Sequence, residues 1–121
     1  MVNPYDKAHE LAKSIKDSDE YIDLIKSTEL VKKDDGLYKM VKNLFTLRTQ
    51  IEIDALSGKE ENKDKKADLK RLHDLVSAIP EGRRLIESHY RFQVLMGDIY
   101  KIIGEGINEG MEFFNFLQEK D

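Results

Sequence analysis

The apolar positions between Ser77 and Ile107 form the longest uninterrupted pattern in the chain. Leu85, His89, Phe92, Met96, Ile99 and Ile103 recur at alternating steps of four and three, and Leu95 and Ile102 widen the stripe beside them. That spacing predicts one face of a long amphipathic helix. Pro80 suits its first position, where a missing N–H costs nothing, and Glu81 favours the positive end of the helix dipole. Gly104 and Gly106 weaken the far end. From Pro80 to Gly104 such a helix is about 36 Å long at 1.5 Å per residue, so it needs partners along its whole length.

The rest of the chain reads as shorter helices leading to this one. Asn3 is an N-cap and Pro4 a first helical residue, followed by Tyr5, Ala8, Leu11, Ala12 and Ile15 on one face, with a stop near Asp17. Ser18 caps a second helix carrying Tyr21, Leu24, Ile25, Thr28 and Val31, and Lys32 and Lys33 stand at its C-terminal end. Asp34-Asp35-Gly36 then either breaks or bends the chain. A second long helix carries Leu37, Met40, Val41, Leu44, Phe45, Leu47, Ile51 and Leu56 and should end at Ser57-Gly58. Lys59–Lys66 has no apolar residue and serves as a solvated connection and the start of the next helix, which holds Leu69, Leu72, Leu75, Val76 and Ile79. Pro80 pushes Ile79 away from the helical region, which predicts a sharp turn there. No segment shows strand alternation of useful length.

Taken together these elements predict an all-α fold of about five helices, with long antiparallel helices forming a hairpin or bundle. Residues 1–107 make the helical domain. Residues 108–121 form an aromatic C-terminal tail in which Asn108 is a candidate cap for a short docked helix. Leaving Phe113, Phe114 and Phe116 in water costs about 1.5–3 kcal/mol each relative to burial, so the tail is expected to dock on its own domain, a second subunit or a partner. The wide apolar faces on a small chain predict a homodimer sharing a core across the long helices. Candidate interface residues are Leu85, Phe92, Met96, Ile99, Ile103, Phe113, Phe114 and Phe116.

Composition narrows the function classes. The chain has 121 residues, no Cys, 36% charged and 40% hydrophobic residues and a formal charge of −4. Absence of Cys excludes thiolate metal sites, Cys nucleophiles and disulfides. The opening residues carry no basic stretch followed by an apolar one, and no window approaches the roughly 18 apolar residues of a membrane span, so a cytoplasmic protein without membrane insertion is expected. The negative balance argues against non-specific nucleic-acid binding by the protein as a whole.

Candidate chemistry is sparse. His9, His73 and His89 are the only imidazoles, and no pair has the spacing of a helical metal site. His89 lies in the apolar stripe, where a partly buried, hydrogen-bonded histidine is the ordinary reading and a ligand or pH-sensing role the sharper one. Gly104, Gly106 and Gly110 fall one residue off a dinucleotide fingerprint and follow a helix rather than a strand. Gly97 suggests a close helix contact. Lys63, Lys66, Lys70, Arg71, Arg83, Arg84 and Arg91 join into a basic surface if the two helices bearing them fold together; acidic neighbours favour a solvated face instead. No catalytic residue, cofactor site or metal site is predicted.

The segment NPYDKAHELAKSIKDSDEYIDLI, the helix opening after Asp34-Asp35-Gly36 with Phe45 and Gln50 further along, the linker SGKEENKD and the closing LIESHYRFQVLMGDIYKII resemble the YlbF/YmcA family of small helical proteins of Gram-positive bacteria, in particular its YheA-like branch. The resemblance spans Asn3 to Ile107. It implies an all-α fold of long antiparallel helices, usually dimeric, without known enzyme activity. The best-studied relatives act as accessory factors in a complex that tunes RNA turnover by a membrane-anchored endoribonuclease and so influences competence, sporulation and biofilm development, and the resemblance implies a link to RNA turnover or developmental regulation. The cysteines that those relatives use for an iron–sulfur cluster are missing here, so cluster binding is not implied. The functional expectation is a non-enzymatic regulatory or adaptor protein with an unidentified protein partner; direct RNA binding through the basic residues of 63–91 is the alternative.

Overall fold

The computed structural model describes residues 3–118, the side chains of 117 and 118 excepted; the last three residues of the tail lie outside the described residues, as does the Leu117 side chain. Among the described residues the fold is all-α. Its elements are α1 (Pro4–Lys16), α2 (Asp19–Lys32), α3 (Asp35–Leu56), α4 (Lys63–Ser77) and α5 (Pro80–Met111), closed by a 3₁₀ turn over Glu112–Gln118.

Local chemistry sets most of these boundaries. The Asn3 side chain accepts from Tyr5 N–H at 2.8 Å, Ser18 from Tyr21 N–H at 3.2 Å and Asp34 from Leu37 N–H at 3.1 Å. Each satisfies a donor that the helix start leaves without a partner. Asp34 therefore begins a new helix, and the Asp34–Gly36 segment is a break rather than a bend. Asn62 does the same for α4, accepting from Lys65 N–H at 3.1 Å. At the end of α3 the chain turns through Gly58 with φ of 76°, a left-handed conformation that glycine adopts without a Cβ clash. Ile79 is extended, with φ −95° and ψ 125°, and α4 and α5 meet there at a sharp turn before Pro80.

The far end of α5 departs from the sequence reading. Gly104, Gly106 and Gly110 do not interrupt it, and Asn108 lies inside it instead of capping a separate helix. A penalty of about 1 kcal/mol per glycine does not end a helix that is already propagating. The boundary expected at residue 107 thus falls within one continuous rod.

Helices α2 and α5 pack antiparallel: Tyr21 meets Phe92 with ring centroids 5.9 Å apart, and Ser27 meets Ser88 at 2.6 Å. Helices α3 and α4 form a second antiparallel pair, tied near its connecting loop by Lys65 to Asp54 at 3.1 Å. The core where the pairs join is small. It consists of Val31, Leu37, Val41, Leu44, Val76 and Leu85, flanked by partly buried Leu24, Phe45, Leu69 and Ile86. Gly82 lets α5 approach the end of α4, since a Cβ there would lie 2.4 Å from the Val76 carbonyl oxygen. Gly97, expected at a close contact, has nothing within 4 Å of where its Cβ would be.

Candidate interaction surface

Helix α2 runs alongside α5 only to the level of Glu20, which lies near Leu95 and Asp98. Beyond that point every residue from Tyr100 to Phe116 is exposed. The stretch is rich in large apolar side chains: Tyr100, Ile102, Ile103, Ile107, Met111, Phe113, Phe114 and Phe116. Phe113 packs edge-to-face on Phe114 and Phe116, at centroid distances of 5.2 and 5.9 Å, yet is itself 76% exposed. As far as Phe116 the tail therefore does not dock on its own domain. Helix α1 is likewise bare, with no buried residue and Tyr5 exposed.

The expected interface residues divide accordingly. Leu85 is buried in the chain's own core, and Phe92 is half-buried against Tyr21. Met96 and Ile99 are half-buried, and Ile103 and the three tail phenylalanines are exposed. The chain exposes 9890 Å², whereas a compact monomer of 14.1 kDa exposes about 6,700 Å². The excess reflects an extended shape and apolar faces that this chain alone does not cover.

At the other end of the α5 surface, a cleft of about 560 Å³ opens between α3, α4 and α5. Its floor includes Leu44, Phe45, Leu69 and Ile86, and Arg48, His73, Glu87 and Arg91 border it. His89 forms one wall, its ring edge-to-face with Phe45 at 4.8 Å between centroids. Burial, together with the Arg48 guanidinium, holds the His89 imidazole below its ordinary pKa and favours the neutral ring. The pattern of threes and fours placed His89 in the core stripe; Ser88, three residues from Leu85 and four from Phe92, occupies that stripe instead and is fully buried.

The basic residues do not merge into one surface. Arg84 and Arg91 turn toward α2, where both pair with Asp23, Arg84 at 3.0 Å. The hydrogen bond from Arg84, strengthened by that from Arg91 and by both charges, holds the Asp23 carboxyl below its usual range despite partial burial. Arg83 donates to the Ser77 carbonyl at 3.5 Å. On α4, Lys66 pairs with Glu61 at 2.9 Å and Arg71 approaches Asp68 at 3.9 Å, while Lys63 and Lys70 are exposed. Asp23 escaped sequence reading because nothing local marks it; its partners lie 61 and 68 residues away. Among the described residues no group of three or more His, Asp or Glu side chains could hold a metal ion, and no helix is long and apolar enough to cross a membrane.

Comparison with known proteins agrees with this architecture. The chain is 38% identical over 103 residues to a UPF0342 protein of Desulfitobacterium hafniense, covering 85% of this chain and 83% of that one. It is 30% identical over 120 residues to a UPF0342 protein of Caldicellulosiruptor saccharolyticus, covering 99% and 100%. A solved structure of a protein of unknown function (DUF964) from Bacillus stearothermophilus shares the fold, with a TM-score of 0.74 at 17% identity over 87% of this chain and 92% of that one. The family profile described as "Control of competence regulator ComK, YlbF/YmcA" matches residues 5–108, nearly the whole helical body from α1 into the last turns of α5, and the chain belongs to that family.

Proposed function

We propose that this chain is a non-enzymatic, cytoplasmic regulatory protein that acts as a homodimer and presents helical surfaces to protein partners. The observation that carries the reading is the exposed apolar run from Tyr100 to Phe116, together with a bare α1. Faces of this kind are costly in water and mark sites of association. The description of the family profile as control of a competence regulator supports a regulatory role. The resemblance to accessory factors of RNA turnover suggests the process in which to look for partners.

The test is capture of partners from a nuclease-treated lysate by the native chain and by an Ile103→Asp/Phe113→Asp variant. The same polypeptides should be retained by the native chain and lost from the variant. Equal capture by both would remove the apolar run as the working surface. Recovery of RNA alone, binding that weakens steeply with salt and its loss in a Lys66→Glu/Lys70→Glu variant would replace the adaptor reading with direct RNA binding.

A further inference from the structure

We propose that a second copy of this chain packs antiparallel along α5, with the two-fold axis level with Lys101, and seats its aromatic tail at the cleft beside Phe45 and His89. The inference rests on the homodimer reading and adds to it a register and a site that one chain leaves incomplete.

Three observations carry it. The first is self-complementarity of the α5 stripe. With the axis at Lys101, Ile99 of each copy stands level with Ile103 of the other, Met96 with Gly106 and Phe92 with Gly110. Phe92 and Gly110 lie on the same line of the helix surface, so a large side chain meets a small one. Gly106 and Gly110 have no intrachain contact within 4 Å that would explain them. A two-fold interface of this kind brings the same patch of both copies together.

The second is reach. The register sets the partner's Phe114 level with Ser88, one residue from His89 and next to the cleft. The tail cannot reach that cleft in its own chain, because α5 is continuous from Pro80 to Met111 and carries it about 33 Å away from His89. The cleft has an apolar floor fit for aromatic side chains; of the two arginines on its border, Arg91 is paired with Asp23, and Arg48 meets Glu52 at 3.4 Å. From Ile102 to Phe116 the incoming segment carries Glu105, Glu109 and Glu112 and no Lys or Arg, so it brings no cation against the Arg48 guanidinium at the cleft's border.

The third is area. Each chain exposes about 3,000 Å² more than a compact monomer of its mass. Obligate homodimers bury about 2,000–5,000 Å² over both partners, which this excess can supply.

The chain has no Cys, so introduced cysteines report cleanly. His89→Cys and Phe114→Cys chains, differently tagged, are co-expressed and oxidised, and each is also oxidised alone. A covalent dimer should form between the two variants and not within either alone, since residue 89 lies far from its own copy across the axis, as does residue 114. A second measurement avoids any question of folding, because Phe113 and Phe114 are already exposed in the single chain: Phe113→Asp/Phe114→Asp should weaken self-association at least tenfold by sedimentation equilibrium. Efficient crosslinking of Phe114→Cys alone, or self-association unchanged in the double Asp variant, would overturn the proposed seat. A dimer that yields no mixed crosslink would refute the register while leaving the homodimer reading in place. A native chain that stays monomeric at micromolar concentration would overturn both.

Discussion

The hydroxyls of Ser27 on α2 and Ser88 on α5 lie 2.6 Å apart, and both residues are completely buried. Ser27 Oγ is also 3.0 Å from the Leu24 carbonyl, and Ser88 Oγ is 3.1 Å from the Leu85 carbonyl. Two hydroxyl hydrogens serve three contacts, so one serine donates to the other while the second donates to its own helix. Neither oxygen is left unpaired in the dry seam between the two helices that pack most closely.

Removing one of these hydroxyls takes away the bond between the helices, while the serine that remains still donates to its own helix carbonyl. Ser27→Ala or Ser88→Ala alone should each lower stability by about 0.5–1.5 kcal/mol, and the double variant should cost clearly less than the two single effects added. Urea unfolding of the four proteins completes the cycle. Strict additivity would show that the serines act independently.

Glycines of α5 should respond to alanine with opposite signs. At Gly82 a Cβ would lie 2.4 Å from the Val76 carbonyl oxygen, a backbone atom that cannot swing aside, and Gly82→Ala should destabilise by about 1–3 kcal/mol. Gly97→Ala meets open space in a helix interior and should stabilise by up to about 1 kcal/mol. Thermal unfolding of the two variants compares them directly, and a loss of stability at position 97 would mean that something packs there.

Asp23 couples α2 to α5 through Arg84 and Arg91, and its carboxyl is held below its ordinary value of 3.8. A depressed folded pKa stabilises the fold above the ordinary value, and that contribution is lost as pH falls below 3.8 toward the folded value. The charges are partly exposed and screened, so Asp23→Asn should cost about 0.2–1 kcal/mol at neutral pH. The cost should shrink in high salt and vanish at strongly acid pH. A cost that persists there would assign the effect to packing.

His89 makes the opposite kind of group behave in the same direction. Its folded pKa lies below the ordinary 6.5, first through burial and then through Arg48, so folding favours the neutral ring. Its full contribution is present above pH 6.5 and stability falls as pH drops below that value toward the folded pKa. His89→Phe keeps an aromatic edge for Phe45 and removes the proton site, so it should flatten the dependence of the unfolding midpoint between about pH 7 and 5. An unchanged slope would trace it to other groups.

What the sequence by itself determined is the set of helices and, the far end of α5 excepted, where they start and stop. Asn3, Ser18 and Asp34 cap, Pro80 opens α5 and Gly58 turns the chain after α3, because capping and turn chemistry act within a few residues. Tertiary structure decided which positions those helices bury against one another. Ser88 rather than His89 faces α2, Gly82 rather than Gly97 marks the close approach, and Asp23 gathers two arginines that local spacing assigns to a basic face. A helix of given periodicity offers a stripe more than 100° wide, and only the neighbour's position selects the line within it that becomes dry. The exposed run from Tyr100 to Phe116 follows from the same cause: its apolar character is written in the sequence, but its lack of a cover in this chain appears only once α2 is seen to end beside Asp98.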